Sequence, residues 1–198
     1  MIRNFVLAGV ASLLAAPAFA QGRPEYRCPA AGTTVERTRG ESVTYRGQGS
    51  APILCATSTG VERVLGYWGA GDAFYRAGRA DLERLVDTAF STGRAGPVTI
   101  SYFSHSSVGY IPNYVNETWS VPGAERVTTP AGEFDTLRVD RRFQIADTHY
   151  RYRQTLWLDR ATRAPVKVEV EHLNGIMAAH IFSWQSTNVQ NRSVTASR

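Results

Sequence analysis

From Thr136 the chain alternates. Leu137, Val139, Phe143 and Ile145 fall on one side of an extended segment with Arg141 among them, while Arg138, Asp140, Arg142 and Gln144 fall on the other. A period of two with one apolar side predicts a strand with one buried face. Ala146-Asp147 as a two-residue loop sets Ile145 against Thr148, Phe143 against Tyr150, Arg141 against Tyr152, Val139 against Gln154 and Leu137 against Leu156. A longer loop over Asp159 to Ala164 then sets Leu158 against Val166, Leu156 against Val168, Gln154 against Val170 and Tyr152 against His172. Asn174-Gly175 predicts a type I′ hairpin that sets His172 against Met177, Val170 against Ala179 and Val168 against Ile181. The other face reads as a water-facing ladder: Asp140 by Arg153, Arg153 by Glu171, Glu169 by His180, Trp157 by Lys167, and Arg142 facing Arg151 as the one unfavourable pair.

Upstream, short runs with turn residues between them predict strands over 33–37, 42–46, 52–57, 61–68, 97–103, 114–121 and 125–129. Pro122-Gly123 closes the sixth of these and Pro130-Ala131-Gly132 turns the seventh into the meander. One segment keeps helical spacing. Leu82, Leu85, Val86, Ala89 and Phe90 form a single apolar stripe, which predicts a helix from Asp81, as N-cap, to Phe90, with Gly93 as the stop and an extra turn over Ala73 to Gly78 as the longer alternative. Together these elements predict a mainly β protein: a strongly curved antiparallel sheet or open β-barrel with one principal α-helix. Residues 185–198 are polar and unpatterned and are expected to fray.

The first twenty residues stand apart. A positive start, an apolar run from Phe5 to Ala16 and Ala18-Phe19-Ala20 are the parts of a secretory signal peptide, leaving 21–198 as one domain. The expected address is periplasmic or secreted, without a lipoprotein cysteine after the cleavage site. Cys28 and Cys55 are the only cysteines, and in an exported chain an even count predicts a disulfide. The formal net charge is +5, nearly all of it arginine, in no block of like charge, so nucleic acid is not an expected partner.

The chemistry-bearing pattern is sparse. No G-x-S-x-G, phosphate-binding glycine loop or H-E-x-x-H occurs, and His105, His149, His172 and His180 are scattered, so no catalytic residue, metal site or cofactor is expected. The anomaly lies on the apolar face of the meander, where the register gathers Arg141, Tyr152 and His172 in one row with Gln154 a step away. Buried polar groups need partners. Either the row sits at a wet rim and satisfies itself, or it lines the mouth of a cavity. In the second case Arg141, Tyr152, Gln154 and His172 bind a ligand, and Val139, Phe143, Leu156, Val168 and Ile181 line the cavity. No acid lies on that face between Leu137 and Ile145, so an anionic ligand head is expected to complete Arg141. On that basis Arg141→Met is expected to leave folding intact or improved.

Pro130-Ala131-Gly132-Glu133-Phe134-Asp135-Thr136, then Leu156-Trp157-Leu158-Asp159 and Ala164-Pro165-Val166-Lys167-Val168-Glu169, form a pattern of their own. This Pro-Ala-Gly-x-Phe-x-Thr hairpin resembles uncharacterised bacterial periplasmic proteins of the domain-of-unknown-function type, similar in architecture to lipoprotein-carrier-like folds. The resemblance covers roughly residues 114–184. It implies a periplasmic address and brings no catalytic residues. The expected function is a non-enzymatic binding or carrier protein for a lipid or other amphiphilic or hydrophobic ligand, with peripheral membrane contact. A cell-envelope protein-interaction module without a pocket and a hydrolase are the alternatives: a filled interior would favour the first, and a cleft gathering His105 with a serine and a carboxylate the second.

Overall fold

The computed structural model describes residues 26–105, 111–174 and 181–191. The signal-peptide segment lies outside them, as do Gly175, Met177, Ala179 and His180. Five short strands open the fold as an antiparallel meander: β1 (Thr34–Arg37), β2 (Ser42–Gln48), β3 (Leu54–Thr57), β4 (Glu62–Val64) and β5 (Trp68–Gly69). The single run expected over 61–68 is two strands, because Leu65 and Gly66 adopt positive φ and turn the chain between them. After α1 (Ala73–Thr92) comes a second meander: β6 (Ala95–His105), β7 (Pro112–Thr129), β8 (Gly132–Ile145), β9 (Arg151–Asp159) and β10 (Pro165–His172).

The last strand, β11 (Trp184–Gln190), lies between β10 and β1 and joins both meanders into one 11-stranded sheet. Residues 185–190 of the segment expected to fray are therefore central to the sheet, and 192–198 lie outside the described residues. Ser186 within that segment is fully buried and bonds Thr129 at 2.9 Å, so it needs no apolar alternation to hold its place. Val168 accordingly pairs with Trp184 and not with Ile181.

The sheet curls strongly. Trp68, on the β5 edge, meets Trp119, on β7 next to the other edge, with ring centroids 4.7 Å apart. The helix lies in the trough so formed, with Leu82, Leu85, Val86 and Ala89 in the same core as Ile100, Trp119, Leu137 and Leu156. It begins eight residues before the expected Asp81, capped by Asp72 without a side-chain hydrogen bond. The extra turn over 73–78 is thus present; Gly78, non-helical, separates it from the apolar stripe, and the glycine is there for contact: a Cβ would stand 2.3 Å from Ile100 Cδ1. Gly93 ends the helix as expected, in the left-handed region at φ 83°, with its N–H donating to Ala89 O. Cys28 and Cys55 are bonded, Cα atoms 5.3 Å apart, tying the arm ahead of β1 to β3.

Within the second meander the faces are as expected and the β8–β9 register is not. Phe143 pairs with Tyr152, Arg141 with Gln154, Val139 with Leu156 and Leu137 with Leu158, each two residues from its expected partner. The loop is longer than two residues, since Ile145 N–H donates to Tyr150 O. A shift of two restores every side chain to its own face. The β9–β10 pairs Leu156–Val168, Gln154–Val170 and Tyr152–His172 stand, while a bulge sets Leu158 against Pro165. Pro122-Gly123 does not end a strand but sits in a bulge of β7.

On the convex face Arg153 binds Glu171 at 2.6 Å, and Lys167 Nζ lies 4.7 Å from the Trp157 ring. Asp140 faces Thr155, not Arg153, and Arg142 faces Arg153, not Arg151. Trp157 is not water-facing: it packs with Val127 and Val166 in a small second core and donates to Glu125 Oε1.

Candidate functional site

The inward positions of β7 are Val115, Glu117, Trp119 and Val121, all buried. One acid among apolar neighbours has to find a cation. Register sets Trp119 beside Arg141 and Arg141 beside Gln154, with Glu117, Phe143, Tyr152 and His172 forming the next row. Glu117 therefore meets Arg141 across a diagonal. Its Oε2 accepts from Arg141 Nε at 2.7 Å and from Trp119 Nε1 at 2.8 Å. Its Oε1 accepts from Arg141 Nη2 and from the Tyr102 hydroxyl of β6. Glu117 is 0% and Arg141 6% exposed, so this is a buried, bidentate ion pair.

The expected anionic ligand head is thus not needed: Arg141 already has its anion, Glu117, supplied by β7 from outside Leu137 to Ile145. The signal was present in the sequence as Val115-x-Glu117-x-Trp119-x-Val121, a lone carboxylate on an apolar face. Burial works against the Arg141 charge, but Glu117, with smaller contributions from the Tyr152 and Tyr102 phenols, more than reverses that and holds its pKa above the usual arginine value. Burial, reinforced by Glu117, pushes the Tyr102 phenol up as well.

Arg141 Nη1 donates to Gln154 Oε1 at 2.9 Å, and Trp68 Nε1 of β5 donates to the same oxygen at 3.1 Å. Two pure donors on one atom settle which end of the amide is oxygen. The guanidinium also lies over the Phe74 ring of α1 at 4.4 Å. Strands at both ends of the sheet and the helix between them converge on this one charge.

Beside it opens a cavity of about 530 Å³. Arg141, Gln154 and Tyr152 line it, with Phe143 and Ile181 from the expected wall. Val139, Leu156 and Val168 do not: they are packed in the core. His172 also stays outside, tilted against Tyr152 with ring centroids 6.3 Å apart. Three aromatic rings, Phe143, Tyr150 and Tyr152, contact one another along one wall, and Phe74, Trp68 and Tyr102 complete the aromatic surround. Burial pushes the Tyr152 phenol up, against the pull of Arg141.

Asp72, Ser104 and His105 reach the same cavity. No side-chain hydrogen bond joins these three among the described residues, and Ser104 and His105 are successive positions of a strand. Burial raises the Asp72 carboxyl above its ordinary value, with Arg141 opposing. No cluster of three or more metal-ligating side chains occurs among the described residues. Comparison with protein-family models, with curated proteins and with solved structures finds no match to this chain.

Proposed function

We propose that this chain is a non-enzymatic binding or carrier protein of the periplasm or the secreted space that holds an amphiphilic or hydrophobic ligand between α1 and the concave face of the sheet. The observation that carries this reading is the cavity beside Arg141. Its volume of about 530 Å³ falls within the range of small-molecule sites, and aromatic and aliphatic walls around a few buried polar groups are the usual make-up of such sites. The disulfide fits an oxidising compartment. Peripheral membrane contact is supported by Phe103 and Tyr114, a ring pair 5.1 Å apart and 71% and 43% exposed, on the two strands that carry Ser104 and Val115 into the cavity. An open interior argues against an interaction module without a pocket.

Native mass spectrometry of protein isolated without detergent from its host's envelope tests the proposal. A non-covalent adduct that organic solvent removes is the expected result. A bare chain that also fails to take up the neutral fluorophore N-phenyl-1-naphthylamine would sink it. The hydrolase alternative has one observation in its favour, the meeting of Ser104, His105 and Asp72 in the cavity, and it predicts ester turnover that His105→Ala abolishes.

A further inference from the structure

The polar end of the cavity has an uneven supply of hydrogen-bonding groups. Glu117 presents two oxygens with about four acceptor positions, and four donors fill them: two from Arg141, one from Trp119 and one from Tyr102. Gln154 Oε1 likewise receives two donors, from Arg141 and Trp68. What remains around Arg141 is mostly donor, with the Asp72 carboxylate as an acceptor on the same cavity. Arg141 uses three of its five N–H groups in these bonds, leaving two. The Gln154 amide nitrogen and the Tyr152 hydroxyl have no partner among the described residues, although Gln154 and Tyr152 are 3% and 4% exposed and both line the cavity. Among the described residues Arg141 is the only lysine or arginine in the lining, and Glu117 at its side and Asp72 on the same cavity are both carboxylates.

We propose that the head group bound here is uncharged and accepts hydrogen bonds, as an ester, amide or ketone oxygen does, and that carboxylate and phosphate heads are rejected. This rests on the carrier reading above. An acceptor oxygen, with about two acceptor positions, takes up two of the free guanidinium, amide and phenol donors. A second anion would instead stand beside a buried carboxylate whose only cation is already engaged, and like charges in a shared low-dielectric site repel strongly. The apolar part of the ligand then lies against Phe74, Val115, Phe143, Ile145 and Ile181.

The test is titration calorimetry at pH 8, where a fatty carboxylate is ionised. Two probes of equal chain length are compared, 1-monodecanoylglycerol and decanoate. The expected result is at least ten-fold tighter binding of the neutral ester. Glu117→Gln, checked for folding by circular dichroism, frees the Arg141 charge and is expected to move the preference at least ten-fold toward decanoate. Decanoate binding as well as or better than the ester overturns the head-group assignment and leaves the carrier reading standing, as does a folded Glu117→Gln variant with unchanged preference. Failure of both probes to bind overturns the carrier reading itself. If Glu117→Gln does not fold, the comparison on the unaltered protein decides alone.

Discussion

The two faces of β8–β10 treat charge in opposite ways. On the convex side Arg153 and Glu171 meet at 2.6 Å with 38% and 54% of their side chains in water. On the concave side Arg141 and Glu117 meet at similar range with 7% and 0%. Coulomb attraction between unit charges a few ångströms apart differs several-fold between water and a protein interior, but so does the cost of removing the charges from water. An exposed pair is therefore nearly neutral to stability. A buried pair gains little as a pair and loses heavily when it is broken. Distance alone does not distinguish the two; the surroundings do.

The contrast breaks first at Glu117. Glu117→Ala leaves Arg141 buried with its charge unmet and is expected to cost about 3–5 kcal/mol in urea unfolding. Arg141→Met, which promises an intact or improved fold when the sequence is considered alone, strands the Glu117 carboxylate and is expected to destabilise too. Replacing both at once, Glu117→Leu with Arg141→Met, is expected to cost far less than either single change. Single substitutions costing under about 1 kcal/mol would erase the distinction between the faces.

Next in size is the response of the interior to alkali. Tyr45 is fully buried and its hydroxyl donates to Gly66 O at 3.0 Å. Burial pushes its pKa from 10.0 up to about 12. The unfolded phenol ionises near pH 10 and the folded one later, so its contribution is whole below pH 10 and is lost as pH climbs toward 12. The loss is about 2–3 kcal/mol. Stability followed against pH should show this limb, and Tyr45→Phe should reduce it.

The smallest effect belongs to the ladder. A double-mutant cycle on Arg153 and Glu171 with alanine is expected to give a coupling of about 0–1 kcal/mol that fades by roughly 1 M salt. A coupling that persisted in salt would show that the convex face is less wet than its exposure implies.

Strand parity was legible because period-two alternation survives even when the pairing partner is mistaken. That is why Arg141, Tyr152 and Gln154 were placed on the concave face although the β8–β9 register was two residues off. What escaped depended on partners distant in sequence. Nothing between Leu137 and Ile145 reveals that Glu117 reaches Arg141 across a diagonal, because the pairing of β7 with β8 passes through a bulge between Ser120 and Gly123. The roles of Phe74 and Trp68 escaped because the turn over 73–78 is set apart from the apolar stripe by Gly78 and because β5 is two residues long. Of the expected apolar wall, Phe143 and Ile181 reach the cavity, while Val139, Leu156 and Val168 face the same way but lie deeper. Alternation reports which face a side chain takes, not how far along the trough it sits.

The position of β11 sets the order in which the molecule can be completed. Thr34 pairs with Gln190 and Arg37 with Ser186, so the first strand of the fold obtains its second neighbour only from the last. Until then β1 and β10 are raw edges of two separate half-sheets, and the loop to be closed spans most of the chain. Such non-local closure is slow compared with hairpin formation. A chain built this way stays unfinished until its final strand is free, and each half carries an open template for stray pairing while it waits.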